Sequence, residues 1–418
     1  MMVFQRRAGV FSVLAVSCLL TLLSVGTCWA GLQVIGIDVG QGDCTLIISP
    51  TGKTVLIDAG YTGKGTGTVL PYLQSRGIES LDYTVASHYH VDHIGGLDEV
   101  VNAIGRDSLK VAAYDRGYNY NTLAYTQYVT AVGTKRQTMT EYQVIDLGGG
   151  ATLTCLGLNS MGRLSPPYDN ARYDDNNLSI AVLLEYGEFQ MLLGGDLPGQ
   201  NSSSYYDIES ILAPRAGDVD VYKVNHHGSA TSSQTTLLNA TLPEACLVYV
   251  GNGNSYGHPT QAVINRLVAV NCYIYQTELG SGGTIPVGKG EVANGNVVID
   301  VDGGQYTING REYSLASAGV AGELQPMLLA ITPNPFSNQA KISFRLSADG
   351  PGAIKIFDVA GRLVNSYPVA SGAAGINTFT WNGRSSAQHE VPAGIYFVRV
   401  SSEGGSGSEA VTAKIVKR

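Results

Sequence analysis

His88-Tyr89-His90-Val91-Asp92-His93 lies where the apolar run Leu81 to Ala86 gives way to a helical pattern. Histidines two apart on an extended segment can point the same way. Asp92 and His93, at the turn into the helix, then face an adjacent position. Imidazole and carboxylate together suit zinc, manganese or iron rather than calcium. Ile94, Leu97, Val100, Val101 and Ile104 recur at helical spacing behind the motif, so it reads as strand, loop, then helix.

The other histidines repeat that placement. Of seven in the chain, six fall in three short places: the motif, His226-His227-Gly228-Ser229 after a strand-like run, and His258 in Asn254-Ser255-Tyr256-Gly257-His258-Pro259. Asp196 ends the apolar run Met191 to Gly195. Loops after strands gather at one edge of a sheet and converge on one site. These histidines with Asp92 and Asp196 are too many for one tetrahedral ion, so two divalent ions are expected, zinc first and manganese second. A carboxylate such as Asp196 bridges ions at the separation of about 3.5–4 Å found in two-metal hydrolases.

Further out, Val34 to Val39, Leu46 to Ile48, Thr54 to Ile57 and Val221 to Val224 read as strands. Leu178 to Glu185 and Phe189 to Leu193 read as a hairpin. Strands mixed with helices give an α/β layered core over about residues 32–323. Residues 114–128, rich in tyrosine, and 161–177, with Pro166, Pro167 and several Asp and Asn, read as loops.

The chain has 418 residues, 14% of them charged, with 52 glycines and a formal charge of −8. Typical soluble proteins carry about 25% charged residues. With 44% hydrophobic residues it buries a sizeable core, which excludes wholesale disorder. The negative balance opposes a general nucleic-acid coat protein. Residues 1–30 read as a cleaved export signal: Arg6 and Arg7, an uncharged apolar run, then Ala30 at the exit. No other stretch is apolar enough to span a membrane, so the mature chain is expected to be secreted or surface-bound without a stable span. Cleavage leaves Cys44, Cys155, Cys246 and Cys272, all in apolar runs and read first as buried thiols. A Cys246–Cys272 disulfide is the alternative.

Between 314 and 331 the composition shifts to Ala, Ser, Gly and Leu and reads as a linker. Residues 332–418 then offer five short strands separated by Gly-rich turns, a small all-β sandwich. Its one histidine, His389, sits in a turn.

The motif resembles the signature of the metallo-β-lactamase fold, which implies a four-layer αββα sandwich with a binuclear site over residues 31–313. Leu56-Ile57-Asp58-Ala59-Gly60 resembles the family's first motif, whose aspartate supports the site. Asp196 matches its bridging aspartate. The narrower resemblance is to the hydrolase domain of ComEC-type DNA-uptake proteins and to secreted phosphocholine esterases. It is carried by Asp38-Val39-Gly40-Gln41-Gly42-Asp43, Asp175-Asn176-Asn177-Leu178-Ser179, Gly195-Asp196, the histidine pair and Tyr256-Gly257-His258-Pro259. Asp43 joins Asp58 as structural support. Many relatives have a third histidine for the first metal where this chain has Asn176 and Asn177, and the ComEC-type membrane channel is absent. In the tail, Thr332-Pro333-Asn334-Pro335-Phe336, Ile356 to Arg362 and Ala393 to Phe397 resemble FlgD-type Ig-like and secretion-sorting modules, which implies contact with secretion machinery or the cell surface.

These readings converge on a secreted metal-dependent phosphodiesterase. His88, His90, Asp92, His93, Asp196 and His226 are expected as metal ligands, with His226 favoured over His227 and the reverse left open. Asp92, His227 and His258 are the expected catalytic groups, and Asn177 and Ser229 the phosphate contacts. The expected substrate is a phosphodiester, with extracellular DNA or RNA first. A lactonase or β-lactamase, or a noncatalytic surface-binding protein, is the alternative.

Overall fold

The computed structural model describes residues 31–315, 327–346, 350–372, 375–404 and 407–418. The stretch 1–30, read as an export signal, and most of the stretch read as linker therefore lie outside the described residues.

Two sheets face each other in the larger part. The first has nine strands in the order Arg311–Ser314, Gln305–Ile308, Val297–Asp302, Leu32–Gly36, Thr45–Ile48, Thr54–Ile57, Leu81–Val85, Leu109–Asp115 and Arg136–Thr138. The second has eight, in the order Gly290–Val292, Tyr273–Gln276, Ala245–Val248, Val221–Lys223, Phe189–Leu193, Ala181–Tyr186, Ala151–Gly157 and Val144–Gly148. Alternate residues of one strand serve different layers. Val55 and Ile57 enter the core between the sheets, while Leu56 packs outward with Leu73, Val100 and Val101 of the helices. On the other sheet Met191 and Leu193 face inward, and Leu192 meets Leu212, Leu238 and Ile264 outside. The result is the expected αββα order, and strands buried on both faces explain why they read as continuous apolar runs.

The hairpin of Ala181–Tyr186 and Phe189–Leu193 pairs antiparallel around Gly187, as its sequence signals. The stretch 114–128 is only partly a loop. Leu123–Val132 is a helix whose first turn is capped by the Thr122 hydroxyl, which accepts from the Tyr125 N–H. Its apolar side is built from Tyr125, Tyr128 and Val132, and tyrosines hid the helical period from a reading by composition. Cys246 and Cys272 form a disulfide, with Cα atoms 6.1 Å apart, which favours the alternative for that pair. Cys44 and Cys155 are buried free thiols. Burial and then Asp58 push the Cys44 thiol well up, which keeps it inert.

Among the described residues the tail is all β, with seven strands: the five expected, Leu363–Gly372 between them, and Met327–Thr332 ahead of them. Met327–Thr332, Ala340–Leu346 and Gly375–Trp381 form one sheet, and Leu363–Gly372, Gly350–Asp358, Gly394–Gly404 and Gly407–Lys417 the other. Ile342 and Phe344 meet Ile356, Val398 and Ile415 around buried Trp381, so the sheets share one core. The strand Met327–Thr332 takes the end of the stretch read as linker. Its apolar run Met327 to Ile331 was masked by the Ala- and Gly-rich composition before it. His389 is exposed.

Candidate metal centre

Parallel pairing aligns the strand ends that carry the motifs. Thr54–Ile57 runs parallel to Leu81–Val85 in one sheet, and Phe189–Leu193, Val221–Lys223 and Ala245–Val248 run parallel in the other. Asp58, the His88 motif, Asp196 and the histidine pair follow four of these strands, so their side chains meet at one edge. Asp58, His226 and His227 have φ of 57°, 52° and 51°. That left-handed backbone is uncommon for residues with a Cβ and is held at functional turns.

Asp58 is wholly committed to support. It accepts from the Ser87 N–H at 2.8 Å and the Ser87 hydroxyl at 2.6 Å, and it lies 2.9 Å from His93 Nδ1. A ring fixed through Nδ1 turns Nε2 toward the centre. His93 Nε2 is 3.3 Å from Asp196, and His88 Nε2 is 3.1 Å from His90 Nδ1. The backbone O of Gly195 accepts from the Lys223 ammonium at 3.1 Å and the His226 N–H at 3.2 Å, which sets the position of Asp196 beside it.

The histidine pair divides its roles. His227 Nδ1 donates to the Tyr249 carbonyl at 3.1 Å and lies 3.2 Å from Asp43. Its Nε2 sits 3.3 Å from Asp92 and 3.5 Å from Asp196. His226 is farther out, 3.8 Å from Asp196 and within 3.3 Å of the Asn176 amide nitrogen. Metal-competent groupings, with ligand atoms within 4.8 Å of one another, are His88–His93–Asp196, Asp92–His93–His227, Asp43–Asp196–His227 and Asp43–Asp58–His93. His227 enters two of these, while His226 and His90 enter none, so for the histidine pair the geometry favours the reverse of the preferred sequence assignment. Two consecutive left-handed residues swing the second imidazole inward, which spacing alone does not reveal.

Electrostatics point the same way. Asp43, Asp58 and Asp196 are buried and Asp92 is half-buried, with buried Lys223 pairing only Asp43. Burial opposes ionisation of Asp196, yet His93, His227 and His226 hold its carboxyl well below the usual range. Burial likewise opposes protonation of His227, but Asp196 and Asp43 push it up to about 10. Protons here balance a surplus of negative charge that cations would otherwise balance. Asp196 Oδ1, His93 Nε2 and His227 Nε2 are buried without hydrogen-bond partners, as ligand atoms would be. The donor set fits a divalent ion.

The groups open onto a cavity of about 320 Å³ lined by Gln41, Tyr61, His90, Asp92, Asn176, Asp196, Tyr205, His226, His227, Tyr256 and His258, together with Val91. Burial, then His226 and His227, push His258 down to about 4, so it is neutral. Two expected phosphate contacts are placed elsewhere. Asn177 is fully buried and its amide is spent inside the protein: the nitrogen donates to the Asp174 and Ser204 carbonyls, and the oxygen accepts from the Tyr206 N–H. Its neighbour Asn176 faces the cavity instead. Ser229 is outside the cavity lining and bonds Thr231 at 2.9 Å.

Sequence reasoning also missed Lys223, a lone charge inside Val221-Tyr222-Lys223-Val224 whose stable setting is against a carboxylate. It missed the Arg116–Asp175 pair as well. Arg116 is fully buried, 2.5 Å from Asp175 Oδ1, while Asp175 Oδ2 accepts the Tyr89 N–H between His88 and His90. Arg116→Met strands that carboxylate in the interior, and a loss of about 3–5 kcal/mol in urea unfolding is expected.

The profile described as the metallo-beta-lactamase superfamily matches residues 37–251. The chain belongs to that superfamily. A FlgD Ig-like domain matches residues 331–406. Recombination protein 2 of Haemophilus influenzae is 30% identical over 239 residues, covering 56% of this chain and 26% of that protein. Competence protein ComA of Neisseria gonorrhoeae is 26% identical over 257 residues, covering 61% of this chain and 32% of that protein. The chain thus spans about a quarter to a third of these relatives' length. A solved structure of a diphosphatase from the PhnP family is 13% identical, with a TM-score of 0.35, and covers 65% of this chain and 98% of its own. In this superfamily hydrolase the candidate site lies at the edge where the parallel strands end. Among the described residues no helix is long and apolar enough to cross a membrane.

Proposed function

We propose that this superfamily hydrolase is a secreted, metal-dependent phosphodiesterase, with extracellular nucleic acid as first substrate and phosphocholine-type esters second. The observation that carries the reading is Asp196, shared between a grouping with His88 and His93 and one with Asp43 and His227, and also lining an open cavity. His88, His93 and Asp196 would hold one ion, with His90 beside His88, and Asp92, His227 and Asp196 the other. Zinc is the first expectation and manganese the second. Ions there supply activation of water and neutralisation of charge on phosphoryl oxygens.

The chain's own groups do the rest. Asp58 and the Tyr249 carbonyl fix the His93 and His227 rings, so their Nε2 atoms are set before substrate arrives. The water oxygen bonds to phosphorus and sheds a proton, the opposite P–O ester bond breaks, and the departing oxygen takes up that proton by way of solvent. His258, neutral and lining the cavity, donates a hydrogen bond to that oxygen. Residues 31–325 carry 15 Lys and Arg against 29 Asp and Glu, which opposes broad binding of a polyanion. A nucleic acid is therefore gripped at the site rather than along the surface. The export signal and the FlgD-like tail support secretion, and the tail supplies contact with secretion machinery or the cell surface.

The test is to purify the full chain, measure bound metal, and assay bis(p-nitrophenyl) phosphate, single- and double-stranded DNA, RNA, nitrocefin and a lactone. Two ions per chain and turnover of the diester are expected, with Asp92→Ala slower by about a hundredfold or more. Turnover of nitrocefin or the lactone alone replaces this reading with carbonyl hydrolysis.

A further inference from the structure

The cavity lining holds two kinds of group. Asp92, Asp196, His90 and His227 are suited to metal. Gln41, Tyr61 and Tyr256 offer amide and hydroxyl hydrogen-bond donors. No lysine or arginine lines the cavity among the described residues. Lys223 lies beneath it, paired with Asp43, and Lys64 lies outside it against Gly40.

Gln41 is anchored to a neighbouring loop. Its Oε1 accepts from the Gly251 N–H at 3.2 Å, which fixes which end of the amide faces which way. A Cβ on Gly251 would collide with the Gln41 backbone nitrogen, so glycine allows the two loops this close approach. With the oxygen anchored, Nε2 is left buried and without a hydrogen-bond partner in a side chain that lines the cavity. A buried amide donor left unpaired is costly and is found where a ligand completes it. Tyr61 and Tyr256 form the rim beside it, their hydroxyls 3.3 Å apart, and Tyr256 stacks on His258 at 5.6 Å.

We infer that Gln41 Nε2 donates to a non-bridging phosphoryl oxygen, and that a cavity lined without lysine or arginine selects singly charged phosphodiesters over doubly charged phosphomonoesters. The inference rests on the phosphodiesterase reading and deepens it. A diester brings one negative charge, which the ion side of the cavity meets. A monoester dianion needs a further cation, and the lining has no lysine or arginine to supply it. The donor acts most as charge builds on the oxygens during attack, so it acts on kcat more than on KM.

Gln41→Glu keeps the anchor, because a carboxylate still accepts from Gly251, while it loses the N–H and adds a negative charge; Gln41→Met removes the N–H without the charge. With bis(p-nitrophenyl) phosphate, kcat/KM of Gln41→Glu is expected to fall about a hundredfold, mainly in kcat, with bound metal unchanged. Gln41→Met, of similar length and without charge, is expected to fall about tenfold or more. Gln41→Lys adds the missing cation, so the ratio of p-nitrophenyl phosphate to diester turnover rises at least about tenfold. If Gln41→Glu and Gln41→Met both stay within threefold of the parent at equal metal content, the donor role is refuted. If the parent turns over monoester as well as diester, the selectivity is refuted and the phosphodiesterase reading survives. If the parent turns over neither phosphate ester, both fall together.

Discussion

Asp196→Asn is expected to cost about a thousandfold or more in kcat/KM on a phosphodiester, roughly 4 kcal/mol of transition-state stabilisation. The size follows from where the carboxylate stands. Its Oδ2 lies 3.3 Å from His93, 3.5 Å from His227 and 3.8 Å from His226, and its Oδ1 is buried without a partner. Asparagine has the same shape but supplies one neutral oxygen, and its nitrogen turns a donor toward groups that must themselves bind a cation. Both metal positions lose a ligand at once, so bound metal is expected to fall from two ions to one or fewer. The backbone that places residue 196 is untouched, since Lys223 and the His226 N–H bond Gly195. Near-ultraviolet circular dichroism like that of the chelated parent, with metal analysis and turnover on the same sample, checks the result. Retention of more than a tenth of parental turnover overturns Asp196 as the shared ligand.

How far the sequence reveals such a site depends on which physical signal each residue leaves. His88, His90, Asp92, His93 and Asp196 are legible because histidine and aspartate cluster at the ends of several apolar runs, where Gly, Asn or Ser would serve a turn as well. The strands are legible as runs of β-branched residues ended by Gly and Asp. Choices between adjacent residues are not. Asn176 and Asn177 differ by one position in a short turn at Asp175–Leu178, and only the fold decides that 176 faces the cavity while 177 pins the segment through Ser204 and Tyr206. His226 and His227 are exchanged by two left-handed backbone angles that no composition encodes. Lys223 and Arg116 are legible only in retrospect, because a buried cation is defined by a carboxylate remote in sequence: Asp43 is 180 positions from Lys223, and Asp175 is 59 from Arg116. The helix Leu123–Val132 and the strand Met327–Thr332 were lost to composition, one among tyrosines and one beside an Ala- and Gly-rich stretch.

The gap in melting temperature between metal-loaded and chelated protein is expected to widen from pH 6 to pH 9, by about 5 °C or more. In the chelated protein His227 is held up at about 10 against an ordinary value of 6.5, because Asp196 and Asp43 outweigh the burial that opposes its charge. A folded-state value raised in this way contributes stability that is complete below pH 6.5 and lost as pH climbs through 10. His93 is raised too, again against burial, by Asp196, Asp43 and Asp92, and so adds to the same alkaline decline. The carboxylates act at the other end. Asp92 and Asp196 are lowered despite burial, so their contribution is present above their ordinary range near 4 and lost on acidification. Chelated protein is therefore most stable between about pH 5 and 6.5 and weakens on both sides. An ion at Nε2 replaces the proton, so the loaded protein has no proton to lose there as pH rises. Metal affinity also grows as protons cease to compete for the ligands. Both effects act in one direction above pH 6.5. Melting curves at pH 6, 7, 8 and 9, with excess metal and with chelator, measure the gap. A gap that stays constant or narrows means that His93 and His227 carry no protons for an ion to displace, and the charge balance derived for this centre fails.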